Sequence, residues 1–356
     1  MPAKKSDAPA GLRRYFKNAF RWANILLIVL TVMVYLAPYV SPAVFWPLSL
    51  IAPLYPWFLL ANLFFILWWL FWRKWNFILS LVCILAGWGY FTAYIGLHFS
   101  ATPAEGDLQV LTFNLHDLKD LPFKEGGRGR DMRPLLDFLD EIGKPDILCL
   151  QELHESPAAE LAQAMGFYHH HYPEKGTAIL SRFPLEKTGT IPFENSGNSA
   201  IWADVQWEGQ SIRIFNLHLQ SNRVSTETQQ LSKQQEIDKK YLRRLRVILR
   251  KYKRAALQRI EQVEGIRAEI EKSPHPYIIC GDFNDTPLSY TYHRLSKGFF
   301  DAFRQTGKGL GTTYARFPPS LRIDYVLYAP ELESSACKVY QKKLSDHYPV
   351  EAWFKK

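Results

Sequence analysis

The chain has 356 residues, of which 47% are hydrophobic and 15% aromatic, and it carries a formal net charge of +9. Residues 1–100 hold eight basic side chains and one acid, whereas the remainder holds 35 basic and 33 acidic side chains. The positive charge is therefore concentrated near the N-terminus and is not by itself evidence for a nucleic-acid-binding domain. The four cysteines form no CxxC pair, which argues against a zinc site or a disulfide framework, and we expect them to be buried core residues.

The first quarter of the chain has the pattern of a membrane anchor. Residues 1–22 are polar and basic, and residues 24–98 contain only two charged side chains, Arg73 and Lys74. Three apolar runs, at about 24–40, 46–72 and 77–97, each approach or exceed the roughly 20 residues that span a bilayer. We interpret residues 23–98 as a transmembrane region of three helices. A cleaved signal peptide or a set of buried soluble helices explains three successive apolar runs less well.

The basic residues predict an orientation. They precede the first run and separate the second from the third, so the positive-inside rule places residues 1–22 and the Arg73 loop in the cytoplasm. Three crossings then place residues 101–356 outside it. We expect a multi-pass protein of a bacterial-type inner (plasma) membrane with an extracytoplasmic C-terminal domain.

From residue 107 the pattern changes to alternating strands and helices, which predicts one α/β domain over residues 101–356. Strands are expected at Leu108–Phe113, Asp146–Leu150, Thr177–Leu180, Ala200–Val205, Ile212–Leu219, 277–280, 323–328 and 348–353, and helices at Met132–Ile142, Pro157–Met165 and about 224–272.

The long predicted helix contains a basic stretch. Residues 239–259 hold ten Lys or Arg and no acid, and apolar residues recur among them at helical spacing. This pattern is typical of a solvated helix packed on its own domain. It is equally compatible with a helix that contacts anionic lipid headgroups or a polyanionic substrate.

Polar residues follow most of the predicted strands. Isolated buried polar residues usually belong to structural hydrogen-bond networks or helix caps. A repeated supply of carboxylates, amides and two histidines at strand ends instead indicates a site for a magnesium-like cation with acid–base groups beside it. The residues concerned are Asn114, Glu152, Asn216, His218, Asp282, Asn284, Asp324, Asp346 and His347.

The ordered motifs resemble the endonuclease/exonuclease/phosphatase superfamily over about residues 107–356. They are Asn114, Leu150–Gln151–Glu152, Asn216–Leu217–His218, Gly281–Asp282–Phe283–Asn284, Arg322–Ile323–Asp324–Tyr325 and Ser345–Asp346–His347. The resemblance implies a four-layer sandwich of two mixed β-sheets flanked by helices. It also implies a bound Mg²⁺, with Mn²⁺ as the alternative.

The resemblance also suggests roles for individual residues. Glu152 is the implied main metal ligand, with Asn114 and Asp346 close to the metal. Asp282 would orient or deprotonate the attacking water, and Asn284 would hold a phosphate oxygen. His347 would face the scissile phosphate, held by Asp324, and His218 would be a second phosphate-facing histidine.

Several further residues are expected near the substrate. Asn216, Arg182 and Arg322 are assigned to substrate binding, and Thr312–Tyr314 and Arg316 to the wall of the groove. The run His169–His171 is a poor candidate for a chelating site, because adjacent residues of an extended chain point to opposite faces.

The predicted function is that of a membrane-anchored, metal-dependent phosphoester hydrolase, in the first place a nuclease-type phosphodiesterase. Alternatives are a phospholipid or sphingolipid headgroup phosphodiesterase, an inositol-phosphate phosphatase, or a non-catalytic scaffold or receptor on the same fold. No protein partner is implied.

Overall fold

A computed structural model describes residues 10–98, 102–127, 129–173, 176–222, 224, 228, 230–231, 238–316 and 321–356. The N-terminal region is helical. Its α-helices are α1 (Ala10–Leu36), α2 (Pro42–Phe45), α3 (Pro47–Ile51), α4 (Tyr55–Phe71), α5 (Phe77–Ala86) and α6 (Trp88–Tyr94), with short 3₁₀ turns at Ala37–Tyr39 and Ala52–Leu54.

Within the residues that the structure describes, two segments are long and apolar enough to cross a membrane, Asn18–Tyr39 and Pro47–Phe71. The expected continuous third helix over 77–97 is not present. Instead α5 and α6 meet at an angle of 75°, and the chain is already extended from Ile95 to Leu97. A third span exists only if the bent pair is counted as one.

The bend occurs at Gly87, where two helices come close together. A Cβ atom at this position would lie 2.2 Å from the ring of Tyr35 in α1. Only glycine permits this approach. The Tyr35 hydroxyl also donates to the carbonyl of Cys83, which fixes the end of α5 against α1.

Hydrogen bonds between side chains join the three long apolar segments. The Asn24 amide donates to Ser80 Oγ over 2.7 Å and accepts from Trp69 Nε1 over 3.0 Å, so it links α1, α4 and α5. Asn62 Nδ2 donates to Thr31 Oγ1 over 3.0 Å. Such interhelical bonds satisfy polar groups that an apolar medium would leave unpaired, so the three helices form one packed bundle.

The C-terminal region contains two six-stranded sheets. Its strands, with the short exit strand β1, are β1 (Ile95–Leu97), β2 (Leu108–Asn114), β3 (Ile147–Gln151), β4 (His169–His171), β5 (Thr177–Ser181), β6 (Leu185–Ile191), β7 (Ala200–Trp207), β8 (Gln210–His218), β9 (Tyr277–Asp282), β10 (Phe300–Asp301), β11 (Lys308–Leu310), β12 (Asp324–Tyr328), β13 (Ser334–Val339) and β14 (Val350–Phe354). Its α-helices are α7 (Arg133–Glu141), α8 (Glu155–Met165), α9 (Lys239–Ile270), α10 (Tyr290–Ser296) and α11 (Ala302–Thr306).

The sheets have the orders β13-β14-β2-β3-β5-β4 and β10-β12-β9-β8-β7-β6. In each sheet the central pair, β2 with β3 and β8 with β9, is parallel and the other pairs are antiparallel. The sheets face each other across a core that includes Val110, Ile179, Ile214 and Cys280. Helices α7 and α8 cover one outer face, and α9 and α10 cover the other. The expected α/β four-layer sandwich is therefore confirmed.

The long basic helix is shorter than predicted. Asp238 is extended and its carboxylate accepts a hydrogen bond from the backbone N–H of Tyr241 over 2.7 Å, so α9 begins at Lys239. An aspartate in this position caps the helix and satisfies one of its free N–H groups. The single helix expected over about 224–272 is interrupted, because Asp238 is not helical, although residues 228, 230 and 231 before it are helical.

The sandwich is docked on one end of the helical bundle. Strand β1 pairs antiparallel with β11, and Gly311 N–H donates to the Tyr94 carbonyl over 2.8 Å. Leu288 is fully buried in a cluster with Val34 and Tyr55 of the bundle. These contacts lie at the end of the bundle formed by residues 37–54, whereas the Arg73 loop follows the far end of α4.

Candidate active site

The strand register brings the predicted polar residues to one edge of the sandwich. Asn114 pairs with Gln151 in one sheet, so Glu152 follows immediately beside it. In the other sheet Asp282 pairs with His218 on one side and with Asp324 on the other. Since parallel strands end at the same edge, the polar groups of both sheets converge there.

His347 and Asp324 form a buried pair. His347 Nδ1 lies 2.9 and 3.1 Å from the two carboxylate oxygens of Asp324. Burial by itself lowers the pKa of His347, but the carboxylates of Asp324 and Asp282 outweigh it and raise the pKa to about 10. The imidazole is therefore held as a cation, with its Nε2 atom 3.9 Å from Asp282 Oδ2.

Asp282 is surrounded by amide donors. Its Oδ2 atom accepts from the side-chain amides of Asn114 and Asn284, each over 3.0 Å, and its Oδ1 atom accepts from the Asn284 N–H over 2.8 Å. Burial, with further contributions from the neighbouring charges of Asp324 and Glu152, raises the pKa of Asp282 to about 7 despite the opposing effect of His347. A carboxyl that titrates near neutral pH is suited to proton transfer.

Glu152 is the more accessible carboxylate of this group. Its side chain is 29% exposed, and its Oε1 atom lies 3.3 Å from Asn114 Nδ2 and 3.5 Å from His218 Nε2. Glu152 has a positive φ of 49°, which turns the chain sharply after β3. The backbone N–H of His218 donates to the Ser199 carbonyl over 2.9 Å and so fixes the end of β8 beside the start of β7.

Asp346 lies in a second polar cluster. Its carboxylate is 3.3 Å from Arg316 Nε and 3.6 Å from His116 Nδ1, and both of those side chains also contact Asp120. His116 and Asp120 were not predicted from the sequence. The sequence shows that His116 follows the strand-end residue Asn114 by two positions, but not the run of three positive φ angles that starts at His116.

Several groups could hold a metal ion. The ligand atoms of Asp282, Asp324 and His347 lie within 4.8 Å of one another, as do those of His116, Asp120 and Asp346. Behind burial, the carboxylates of Asp324 and Glu152 add to the rise in the pKa of Asp282, which indicates negative charge around this residue. Carboxylate and amide oxygens are the donors that a hard divalent cation prefers, so Glu152, Asn114 and Asp346 fit the metal-binding role expected of them in donor type.

Three expected substrate-binding residues lie elsewhere. Asn216 is fully buried, where it accepts from Gln151 Nε2 over 2.6 Å and donates to the carbonyls of Leu150 and Ala178, so it joins the two sheets. Arg322 is also buried and pairs with Asp301. Their hydrogen-bonding groups serve the fold, and the assignment of both to substrate binding is corrected.

Arg182 is placed at the opposite edge of the sheet. Strand β5 runs antiparallel to β3, so Thr177 lies beside Gln151 while Ser181 pairs with Ile147. The five residues of β5 cover roughly 13 Å. Arg182 follows Ser181 and lies 3.6 Å from Asp146, which removes it from the candidate substrate site.

Tyr314 lies beside the Asp–His pair. Its ring packs edge-to-face on His347 with centroids 5.2 Å apart. The neighbouring Thr313 hydroxyl accepts from the backbone N–H groups of Ile323 and Asp324 over 2.9 and 3.0 Å. This segment therefore positions the pair of Asp324 and His347.

A model of the Endonuclease/Exonuclease/phosphatase family matches residues 111–347. This chain belongs to that family. The matched range includes every residue of the converging strand ends, from Asn114 to His347. A second model, of a domain of unknown function called DUF8431, matches residues 17–94 and coincides with the helical bundle. None of the curated proteins matches the chain.

Several solved structures share the fold. A humanized D. rerio TDP2 carrying 14 mutations is 18% identical, with a TM-score of 0.51 over 71% of this chain and all of that one. A Beutenbergia cavernae protein of the family is 20% identical, with a TM-score of 0.50 over 70% of this chain and 72% of that one. A Bacteroides thetaiotaomicron member is 19% identical, with a TM-score of 0.50 over 71% and 98%. At these identities the likeness concerns the fold.

Proposed function

We propose that the protein is a membrane-anchored, metal-dependent phosphoester hydrolase, in the first place a nuclease-type phosphodiesterase. The observation that carries the proposal is the convergence of a buried Asp–His pair, a carboxyl with a pKa near 7 and a partly exposed glutamate in one pocket. Family membership supports the same class of reaction.

The chain's own groups have distinct roles. Asp282, oriented by Asn114 and Asn284, takes a proton from the attacking water. His347, held through Nδ1 by Asp324, presents Nε2 to the pocket and stabilises the negative charge that builds up on the phosphoryl oxygens. His218 and the amide of Asn284 are the further phosphate-facing groups.

A divalent cation, proposed as Mg²⁺ with Mn²⁺ as the alternative, would supply Lewis-acid stabilisation of phosphoryl charge when held by Glu152, Asn114 and Asp346. A magnesium titration by calorimetry of wild type and Glu152→Ala tests this assignment. We expect the variant to lose the binding that the wild type shows.

The position of the site favours lipid headgroups as the second substrate class. Asn284 is followed by Asp285 and, three residues later, by Leu288, which packs inside the helical bundle. The pocket therefore lies close to the end of the candidate membrane spans. A phospholipid or sphingolipid headgroup diester, or an inositol phosphate, would be within reach of such a site.

The proposed orientation places residues 1–22 in the cytoplasm and the sandwich outside it, in a bacterial-type inner membrane. Supporting this arrangement, the sandwich contacts the bundle at the end formed by residues 37–54, and the basic Arg73 loop lies beyond the other end. A reporter pair fused after Lys356 tests the orientation. Active alkaline phosphatase with a silent cytoplasmic reporter is expected, and the reverse result would contradict it.

A substrate panel tests the function. Full-length protein in lipid nanodiscs with Mg²⁺ is offered plasmid DNA, RNA, sphingomyelin, phospholipid and inositol phosphates, with His347→Ala as the matched inactive control. Hydrolysis of nucleic acid supports the first candidate, and hydrolysis of a lipid headgroup or an inositol phosphate supports the second. Binding without turnover of any substrate, and without magnesium affinity, would favour a scaffold or receptor instead.

A further inference from the structure

The N-terminal half of helix α9 extends beyond the sandwich towards the helical bundle. Val263, Ile266 and Ile270 in the C-terminal half are buried on the outer sheet face. Residues 239–254, here called the basic segment, contact the bundle through their C-terminal end. The Tyr252 hydroxyl donates to the Ser49 carbonyl over 2.5 Å, and Lys253 Nζ lies 6.0 Å from the centre of the Trp46 ring.

The basic segment combines positive charge with apolar surface. It contains nine Lys or Arg and no acid. Arg259, the tenth basic residue of the stretch noted in the sequence, is fully buried against Asp285 and does not belong to this surface. Leu242 is 45% exposed, and Leu245, Ile248 and Leu249 are only partly covered. Such a helix is typical of segments that lie in the interface of a bilayer.

One side of the basic segment faces the bundle. Arg246, Arg250 and Lys253 are all exposed and follow at intervals of four and three residues, so they lie on one helical face. Lys253, the last of them, is beside Trp46. The Lys253 end of this stripe of charge therefore lies at the end of the bundle formed by residues 37–54.

Exposed apolar residues beside this stripe mark the position of the bilayer. Helix α2 packs next to α9, and in α2 Val44 is 82% exposed and Phe45 is 48% exposed. They lie between the two candidate spans, where apolar side chains of this size reach into the lipid interface. The phosphate groups of the adjacent leaflet would then be level with the Arg246–Lys253 stripe.

We infer that the basic segment binds anionic phospholipid headgroups of the bilayer around the bundle. Arg246, Arg250 and Lys253 contact the phosphates, and Leu242 enters the apolar edge of the interface. The positive charge of the basic segment is complementary to the negative charge of the headgroup phosphates. The surface of the segment is continuous with the apolar face of the bundle. The inference rests on the membrane placement proposed above and not on hydrolase activity.

Two triple variants test this inference, and each of them removes three positive charges from the protein. The first, Arg246→Gln, Arg250→Gln and Lys253→Gln, removes the stripe. The second, Lys240→Gln, Arg243→Gln and Arg254→Gln, removes three exposed basic residues that lie roughly 80° further round the same helix. Full-length proteins in a zwitterionic detergent are titrated with short-chain phosphatidylglycerol, short-chain phosphatidylcholine and a single-stranded DNA oligonucleotide.

We expect the wild type to bind phosphatidylglycerol at least tenfold more tightly than phosphatidylcholine, since several basic side chains act together on an anionic surface. The first variant should lose this preference and the second should keep it to within about threefold. No lipid preference in the wild type, equal losses in both variants, or loss of DNA binding alone would overturn the inference. Hydrolysis of bis-p-nitrophenyl phosphate is followed in parallel, because its absence would overturn the proposed function while leaving the lipid result intact.

Discussion

Asp324 holds the imidazole of His347 through both of its carboxylate oxygens, at 2.9 and 3.1 Å from Nδ1. Neither residue is exposed, and the two are brought together from positions 23 residues apart. The pair fixes the ring so that Nε2 faces Asp282 and the pocket. It also keeps the imidazole protonated, which suits a group that stabilises phosphate charge.

Replacing the carboxylate of this pair tests its role. Asp324→Asn keeps the size of the side chain but removes its charge, so the pKa of His347 falls and the ring loses its orientation. We expect turnover of a phosphodiester to fall by about 10²- to 10⁴-fold. Asp137→Asn, an exposed carboxylate on α7, is the control and should leave the rate unchanged. Equal rates for both variants would contradict the role of the pair.

The pH dependence of activity follows from the two shifted groups. Asp282 is active as a carboxylate, so its raised pKa means that the active form is populated only as the pH rises through about 7. His347 is active as a cation and loses its proton only as the pH rises through about 10. A bell-shaped profile of kcat/KM is expected between these values. A bound divalent cation would move the lower limb to lower pH, and a profile without a rising acid limb would contradict the base role of Asp282.

Arg322 and Arg182 should behave in opposite ways. Arg322 is buried, pairs with Asp301 at 2.5 Å and donates to the Ala93 carbonyl of the bundle. Arg322→Ala leaves a buried carboxylate unpaired and should lower the free energy of unfolding by about 3–5 kcal/mol. Arg182→Ala should leave both stability and turnover nearly unchanged, because surface ion pairs contribute little. Thermal unfolding and a hydrolysis assay of both variants test these two expectations.

The contact between Gly87 and Tyr35 should control the packing of the bent third segment. Gly87→Ala places a methyl group against the Tyr35 ring and should destabilise the bundle by about 1–3 kcal/mol. The double variant Gly87→Ala with Tyr35→Ala should lose less stability than the sum of the two single variants. Gly89→Ala is the control, since the nearest atom is Arg304 Nη2 at 3.6 Å. Unfolding midpoints in detergent that are equal for Gly87→Ala and Gly89→Ala would contradict this explanation of the bend.

The strand-end residues could be predicted because apolar strands are easily recognised in a sequence. The polar residue that follows each strand is then given by the sequence itself. The sequence does not show in the same way whether a strand runs parallel or antiparallel to its neighbours in the sheet. Arg182 was misplaced because β5 is antiparallel to β3, which moves its end to the far edge. Asn216 was misplaced because it precedes the strand end by two residues and lies in the layer between the sheets.

Other features depend on contacts between distant segments. The bend at Gly87 is set by Tyr35, more than 50 positions earlier, so an apolar run alone suggested a straight helix. His116 and Asp120 reach Asp346 only because the chain after β2 adopts three positive φ angles. Strands β1, β4, β6, β10, β11 and β13 were also not predicted. Of these, β6 is an edge strand with mostly exposed residues and little alternation.

The most direct test of the account is the rate of bis-p-nitrophenyl phosphate hydrolysis by purified full-length protein, measured with and without Mg²⁺. We predict turnover that requires the cation and that Glu152→Ala and His347→Ala each abolish while the unfolding midpoint stays close to that of the wild type. Near wild-type turnover in either folded variant would contradict the assignment of this pocket as the hydrolytic site.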